Sequence, residues 1–255
     1  MKKILILCLM LVIALVPLTL TGCGLFEDAI DNALLVEENA ELKEENAALK
    51  KELANLKFDI AFPNGLIDSD CILNIIDRTV EGEGDAIQVI GDAEVTINDG
   101  KFDGGSTPLG GAGNTAVWCN SENAKVIING GTFTIGGLAE GDTGHIDLIY
   151  CSLGTIEING GIFMGADDTV WLINCKDANY QEGKANIIVK GGTFINFNPA
   201  DCISEGEHTN FVAEGYVVIS EVINKGAEDE YTLYQVVLES EAPVVPEEPV
   251  VPGEF

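Results

Sequence analysis

Four segments of the chain repeat one pattern at a nearly constant interval, and no other feature limits the fold as strongly. They read VTINDGKF over 95–102, VIINGGTF over 126–133, IEINGGIF over 156–163 and IIVKGGTF over 187–194. Their phenylalanines, Phe102, Phe133, Phe163 and Phe194, step by 31, 30 and 31 residues. Each unit is a short β-branched strand, a glycine corner and an aromatic that restarts an apolar face. A second strand precedes each one: Ala86–Ile90, Thr115–Cys119, Ile146–Cys151 and Thr169–Cys175. No amphipathic helix lies between them, which excludes a βαβ series.

A unit of about thirty residues with two or three short strands cannot bury its own apolar face, so neighbouring units must stack into one core. Glycine supplies positive φ at the corner, and asparagine tolerates it better than most residues. Stacking predicts a ladder of Asn98, Asn129 and Asn159, interrupted by Lys190, and an internal column of the four phenylalanines. The repeats resemble those of right-handed parallel β-helix proteins of the pectate-lyase-like kind, including β-helical surface proteins of bacteria and their phages. The resemblance covers roughly 71–235. It implies an all-β right-handed parallel β-helix of about four or five rungs. Loops are expected at Gly104–Asn114, Ile135–Gly144 and Lys176–Lys184, where function usually sits on a rigid scaffold. The stretches 210–218 and 231–237 read as a closing strand pair.

The ends of the chain are different. Lys2 and Lys3 precede an apolar run to Leu20, which has the form of a secretory signal. Leu20-Thr21-Gly22-Cys23 resembles a bacterial lipobox, which implies cleavage before Cys23 and lipid on its thiol. Leu35, Leu42, Leu49 and Leu56 recur every seven residues, with Asn32, Asn39, Asn46 and Leu53 three positions earlier. That heptad predicts an N-terminal α-helical coiled-coil stalk, dimeric or trimeric and weakened by its asparagines. The alternative is a single solvated helix. The segmentation is then 1–22 signal peptide, 23–30 anchor and linker, 31–57 stalk, 58–238 β-helix domain, and 239–255 a Pro/Glu-rich disordered tail.

Charge narrows the function. The chain of 255 residues carries 13 Lys+Arg against 42 Asp+Glu, a net charge of −29. Nucleic acid is excluded as a partner, because phosphate contacts need clustered cations. Residues 58–238 hold 28 acids and 7 bases, so polyuronate substrates would be repelled.

The remaining readings are local. Among seven cysteines, Cys119, Cys151 and Cys175 end the first strand of successive units. A ladder of reduced thiols is expected, with one disulfide between neighbours as the alternative. Zinc is not expected. Calcium as a structural cation is left open at Asn98–Gly104, and no other cofactor is expected. Asp142, Asp167 and Asp168 are the carboxylates to consider for glycoside chemistry, with Glu140 beside them. His145 and His208 have no triad context. Trp118 and Tyr150 occupy matching positions and would make a sugar-stacking platform if outward. Taking Gln88 and Asp147 as outward residues places both rings in the core. The leading expectation is a lipid-anchored cell-surface protein that binds or adheres, with carbohydrate or another envelope component as ligand. The alternatives are a carbohydrate-active enzyme (glycoside hydrolase or polysaccharide lyase) and a structural or phage-derived spike.

Overall fold

The structure, a computed structural model, describes residues 23–80, 84–106, 114–141, 145–166 and 170–243, with side chains from Leu35 onward. The signal segment 1–22 and the residues from 244 on lie outside the described residues. The chain divides into two compact units between Lys50 and Lys51. In the first, a helix α1 (Cys23–Ala61) is built from Glu, Ala, Leu and Lys, all strong helix formers, and it runs on into the second unit.

The second unit carries fifteen strands among the described residues: β1 (Leu66–Ile67), β2 (Cys71–Leu73), β3 (Ile76–Thr79), β4 (Asp85–Val89), β5 (Glu94–Ile97), β6 (Gly100–Asp103), β7 (Thr115–Ile128), β8 (Thr132–Ile135), β9 (Ile146–Ile158), β10 (Ile162–Gly165), β11 (Val170–Cys175), β12 (Ala185–Val189), β13 (Thr193–Ile195), β14 (Tyr216–Ile223) and β15 (Tyr231–Leu238). A short helix, α2 (Asp177–Gln181), sits between β11 and β12. One sheet has eight strands. Within it β4, β7, β9 and β11 form one parallel ladder, and β2, β5, β7, β9 and β12 form another. The other sheet has seven strands in the order β14-β15-β13-β10-β8-β6-β3.

The expectation of an all-β right-handed parallel β-helix behind a coiled-coil stalk is not met. The protein is mixed α/β, with two sheets rather than one closed coil. Strands β7 and β9 run 14 and 13 residues within one sheet, so the glycine corners separate two sheets and do not close a solenoid. The seven-stranded sheet ends in antiparallel pairs, β13 with β15 and β15 with β14. The stalk expectation fails for a local reason. Asn39 and Asn46 turn their side-chain amides onto the carbonyls of Leu35 and Leu42 one turn earlier, at 2.7 Å each. Leu35, Leu42, Leu49 and Leu56 are exposed, and no second helix lies along them among the described residues. Within the described residues of the one chain, α1 is a single helix with its leucine seam open.

Within the sheets the repeat units still stack in register. Phe102, Phe133, Phe163 and Phe194 are wholly buried, with ring centroids 5.2, 5.0 and 4.7 Å apart and planes within 11° of parallel. Asn98 donates to Asn74, Asn129 to Asn98 and Asn159 to Asn129 at 3.0, 2.9 and 3.1 Å. The paired glycines have two distinct roles. The second of each pair, Gly131, Gly161 or Gly192, has φ near +105°, which costs an L-residue with a Cβ roughly 1–2 kcal/mol. The first, Gly130, Gly160 or Gly191, leaves room for the rung below. A Cβ there would overlap the carbonyl oxygen of Asn98, Asn129 or Asn159.

Where the sheets begin, residues 51–61 of α1 cover the edge strand β3. Asn55 accepts the Asp77 amide at 2.9 Å, Lys51 pairs with Asp77, and Arg78 pairs with Asp59 beneath the Phe58 ring. This occupies an edge amide that would otherwise be open to another strand.

Candidate functional site

The outer face of β4, β7, β9 and β11 departs from simple alternation, and that departure builds the site. Each strand carries a pair of successive buried apolar residues: Ala86-Ile87, Ala116-Val117, Leu148-Ile149 and Leu172-Ile173. The parity of the strand slips there, so the residues on either side of the pair share one face. Two rows result. In one, Gln88 opposes Trp118, Trp118 opposes Tyr150, and Tyr150 opposes Asn174. Three residues earlier on each strand lie Asp85, Thr115, Asp147 and Trp171, where Asp85 opposes Thr115 and Asp147 opposes Trp171. Trp118 and Tyr150 are therefore half-buried on the outer face and not in the core, with centroids 6.2 Å apart. The sequence reading placed them inward because it assumed unbroken alternation from Asp147.

The rows enclose a cavity of about 300 Å³ lined by Asp85, Asn114, Thr115, Trp118, His145, Ile146, Asp147 and Tyr150. Several of its polar groups are held from behind. Asp85 Oδ1 accepts from the Thr115 amide at 3.1 Å and from the Thr115 hydroxyl at 2.8 Å. Asp147 Oδ1 accepts from Asn174 Nδ2 at 3.0 Å and lies 3.7 Å from His145 Nε2. The His145 ring stacks on Trp171 with centroids 3.4 Å apart. Trp118 Nε1 donates to the Ser152 hydroxyl at 2.8 Å.

The two carboxyl groups titrate differently for reasons visible in these contacts. Burial pushes Asp147 up to about 7, aided by the charge of Asp177 and only partly offset by the bond from Asn174. Burial also raises Asp85, but two bonds from Thr115 oppose it. Burial lowers His145, against the opposing charge of Asp177. Beside them, Glu205 accepts from the Cys175 amide at 2.6 Å and is pushed up to about 7 by burial and by the charges of Asp177 and Asp147. Tyr150 rises to about 12 by burial and by the same carboxylates. Asn174 is 4% exposed, and its Oδ1 has no partner, like Glu205 Oε2. Buried amide oxygens are seldom left unmatched.

The residues singled out from sequence fall in several places. Asp142, Asp167 and Asp168 lie outside the described residues. Glu140 is exposed at a turn, away from the cavity lining. The side chain of Cys23 is likewise outside the described set, although its backbone belongs to α1. His208 is exposed and pairs with Asp201 at 2.9 Å. Cys119, Cys151 and Cys175 are buried, free and in register on adjacent strands. At Asn98–Gly104 the oxygens are engaged locally: Asp99 accepts from Gly100 and Asp103 from Gly105. Among the described residues no group of three or more His, Cys, Asp or Glu side chains could hold a metal ion, and no helix is long and apolar enough to cross a membrane.

Sequence reasoning missed Asp85, Trp171, Asn174 and Glu205. The signal that could have found the first three is the outward spacing of three residues, Asp85/Gln88, Asp147/Tyr150 and Trp171/Asn174, at the same point of successive units. No protein family, curated protein or solved structure matches the chain.

Proposed function

We propose that this protein is a lipid-anchored cell-surface protein that binds a neutral carbohydrate in the cavity between Asp85 and Tyr150. The observation that carries this reading is the pair of half-buried rings, Trp118 and Tyr150, 6.2 Å apart in a cavity whose other walls, apart from Ile146, are hydrogen-bonding side chains. Aromatic faces with a few placed polar groups are a common way to hold a ligand with both apolar and hydroxyl surfaces. The excess of acid over base argues for a neutral sugar over a uronate. The lipobox-like run before Cys23 supplies the anchor.

The test is retention of the full chain in affinity gels containing a β-1,3-glucan, a β-1,4-glucan, a xylan or a mannan. Retention by at least one is expected. Trp118→Ala should weaken it roughly tenfold, about 1.4 kcal/mol, and Cys23→Ser should abolish palmitate incorporation without touching retention. Equal retention of the wild type and the Trp118→Ala/Tyr150→Ala variant would defeat the reading.

A further inference from the structure

We propose that the open edge of β14 pairs with β14 of a second copy of this chain, antiparallel about a two-fold axis at Ser220, joining two seven-stranded sheets into one. The proposal is independent of the carbohydrate reading. β14 stands last in its sheet, with β15 on one side and no strand on the other among the described residues. The opposite edge of the same sheet, β3, is covered by residues 51–61. Edge strands are commonly guarded by a proline, a lysine or an inward charge. β14 reads YVVISEVI, so it has neither proline nor lysine, and Glu221 is its one charge. All eight of its residues are partly or fully exposed.

The hydrogen bonds of the hairpin show which backbone groups are open. The Glu239 amide donates to the Gly215 carbonyl at 3.0 Å, and from there residues 216–223 oppose 238–231 pair by pair. Residues two apart point the same way in an antiparallel ladder, so Val217, Ile219, Glu221 and Ile223 bond β15. The far side of β15 agrees. There the Val236 amide donates to Gly192 and the Thr232 carbonyl accepts from Asn196, so the even-numbered residues of β15 turn to β13. The amides and carbonyls of Tyr216, Val218, Ser220 and Val222 therefore point away from the sheet. The Tyr216 amide is taken by the Ala213 carbonyl at 3.2 Å. Val218, Ser220 and Val222 remain, and they are symmetric about Ser220.

Symmetry and charge commit this edge to a second copy. A two-fold at Ser220 sets Val218 opposite Val222 of the second copy and Ser220 opposite its own mate, so all three open positions are bonded at once. The same register sets Glu221 opposite Ile219 and keeps the two Glu221 side chains from facing each other. Lys225 is the one lysine or arginine from 191 to 255. It is exposed just after the strand, Glu214 is exposed just before it, and neither has an ion-pair partner among the described residues. In this register Lys225 of each copy falls opposite Gly215 of the other, beside Glu214, and the two-fold makes that contact twice. A chain of net charge −29 repels its copy elsewhere, which favours contact at the lysine. Val217, Ile219 and Ile223 on one face and Val218 and Val222 on the other then adjoin their counterparts and lose contact with water.

The experiment is sedimentation velocity of the full chain over a range of concentrations, with hydrogen exchange of 216–223 read by mass spectrometry. A concentration-dependent dimer is expected, and exchange in 216–223 should slow as it forms. Lys225→Glu and Glu214→Lys should each weaken the dimer roughly tenfold, since each breaks two symmetric pairs. The double variant should return to within about threefold of wild type. Ser220→Pro should weaken the dimer about thirtyfold or more by removing both central donors, at no cost in bonds to β15. Circular dichroism checks that each variant is folded, and the charge exchange decides the matter if Ser220→Pro is not. A monomer up to about 1 mM, a dimer that neither single charge variant weakens, or a double variant no tighter than its parents overturns the proposal. A monomer that dimerises only after 244–255 are removed gives the edge to the chain's own tail and overturns it as well.

Discussion

Replacing Asp147 by Asn should stabilise the protein in alkaline buffer and leave its stability unchanged in acid. The side chain is 17% exposed, and burial holds its carboxyl at about 7 against 3.8 in an open chain. Below pH 3.8 both folded and unfolded chains carry the proton, and the native state gains the full benefit of burying a neutral group. Between 3.8 and about 7 the unfolded chain has released a proton that the native chain keeps, so stability falls as pH rises. Above about 7 the native carboxyl ionises in a poor solvent and the loss is complete. The gap corresponds to about 4 kcal/mol, an upper figure because Asp177 and Glu205 titrate with it. Asparagine keeps an acceptor for Asn174 Nδ2 and carries no charge, so it removes this loss. The assay is urea unfolding of wild type and Asp147→Asn at pH 4 and pH 8.5, followed by circular dichroism. The variant should be more stable by a few kcal/mol at pH 8.5 and within about 0.5 kcal/mol at pH 4. An advantage that is equal at both pH values, or absent at both, would refute the account of a buried neutral acid.

Phe133→Ala should destabilise the fold by about 3–5 kcal/mol, because the ring is wholly buried between Phe102 and Phe163. A double-mutant cycle with Phe102→Ala should return a coupling of about 0.5–1.5 kcal/mol from urea titrations. Gly160→Ala should cost about 1–3 kcal/mol through overlap with the Asn129 carbonyl. Gly183→Ala, at positive φ in open space, should cost about 1–2 kcal/mol from backbone strain alone, as thermal melts of both variants would show.

What could be read in advance was set by contacts between equivalent positions. The phenylalanine column and the asparagine ladder follow from a strict interval, since equal spacing in sequence forces equal spacing along the stack. The sheet boundaries do not follow from it. Whether a strand such as β7 ends at Asn120 or runs on to Ile128 depends on its pairing with β4 and then β5, which the interval alone does not encode. The coiled coil failed on a competition invisible to heptad counting. Asn39 has its own Leu35 carbonyl within reach, and that local bond needs no partner chain. The site was half legible. Trp118 and Tyr150 stood out as aromatics at matching positions, yet their direction turned on the doubled buried pair Leu148-Ile149. Glu205 comes from a segment with no repeat character, joined to β11 through the Cys175 amide and the neighbouring Ser204 hydroxyl on the Ile173 carbonyl.

The covers at the two ends of the stack determine how such a protein can change length. Residues 51–61 fit the particular edge of β3, and β15 fits the particular edge of β13. Neither terminus can accept an additional unit without losing its cover. A duplication of about thirty residues in the interior meets no such obstacle, because its new edges match the edges it separates. Copying 115–145 would carry a second Thr and Trp onto the outer face and widen the gap between Asp85 and Asp147 by one strand, about 4.8 Å. Growth by internal copying would thus act as a ruler, resetting the span between the two carboxyl groups in fixed steps while leaving both ends sealed.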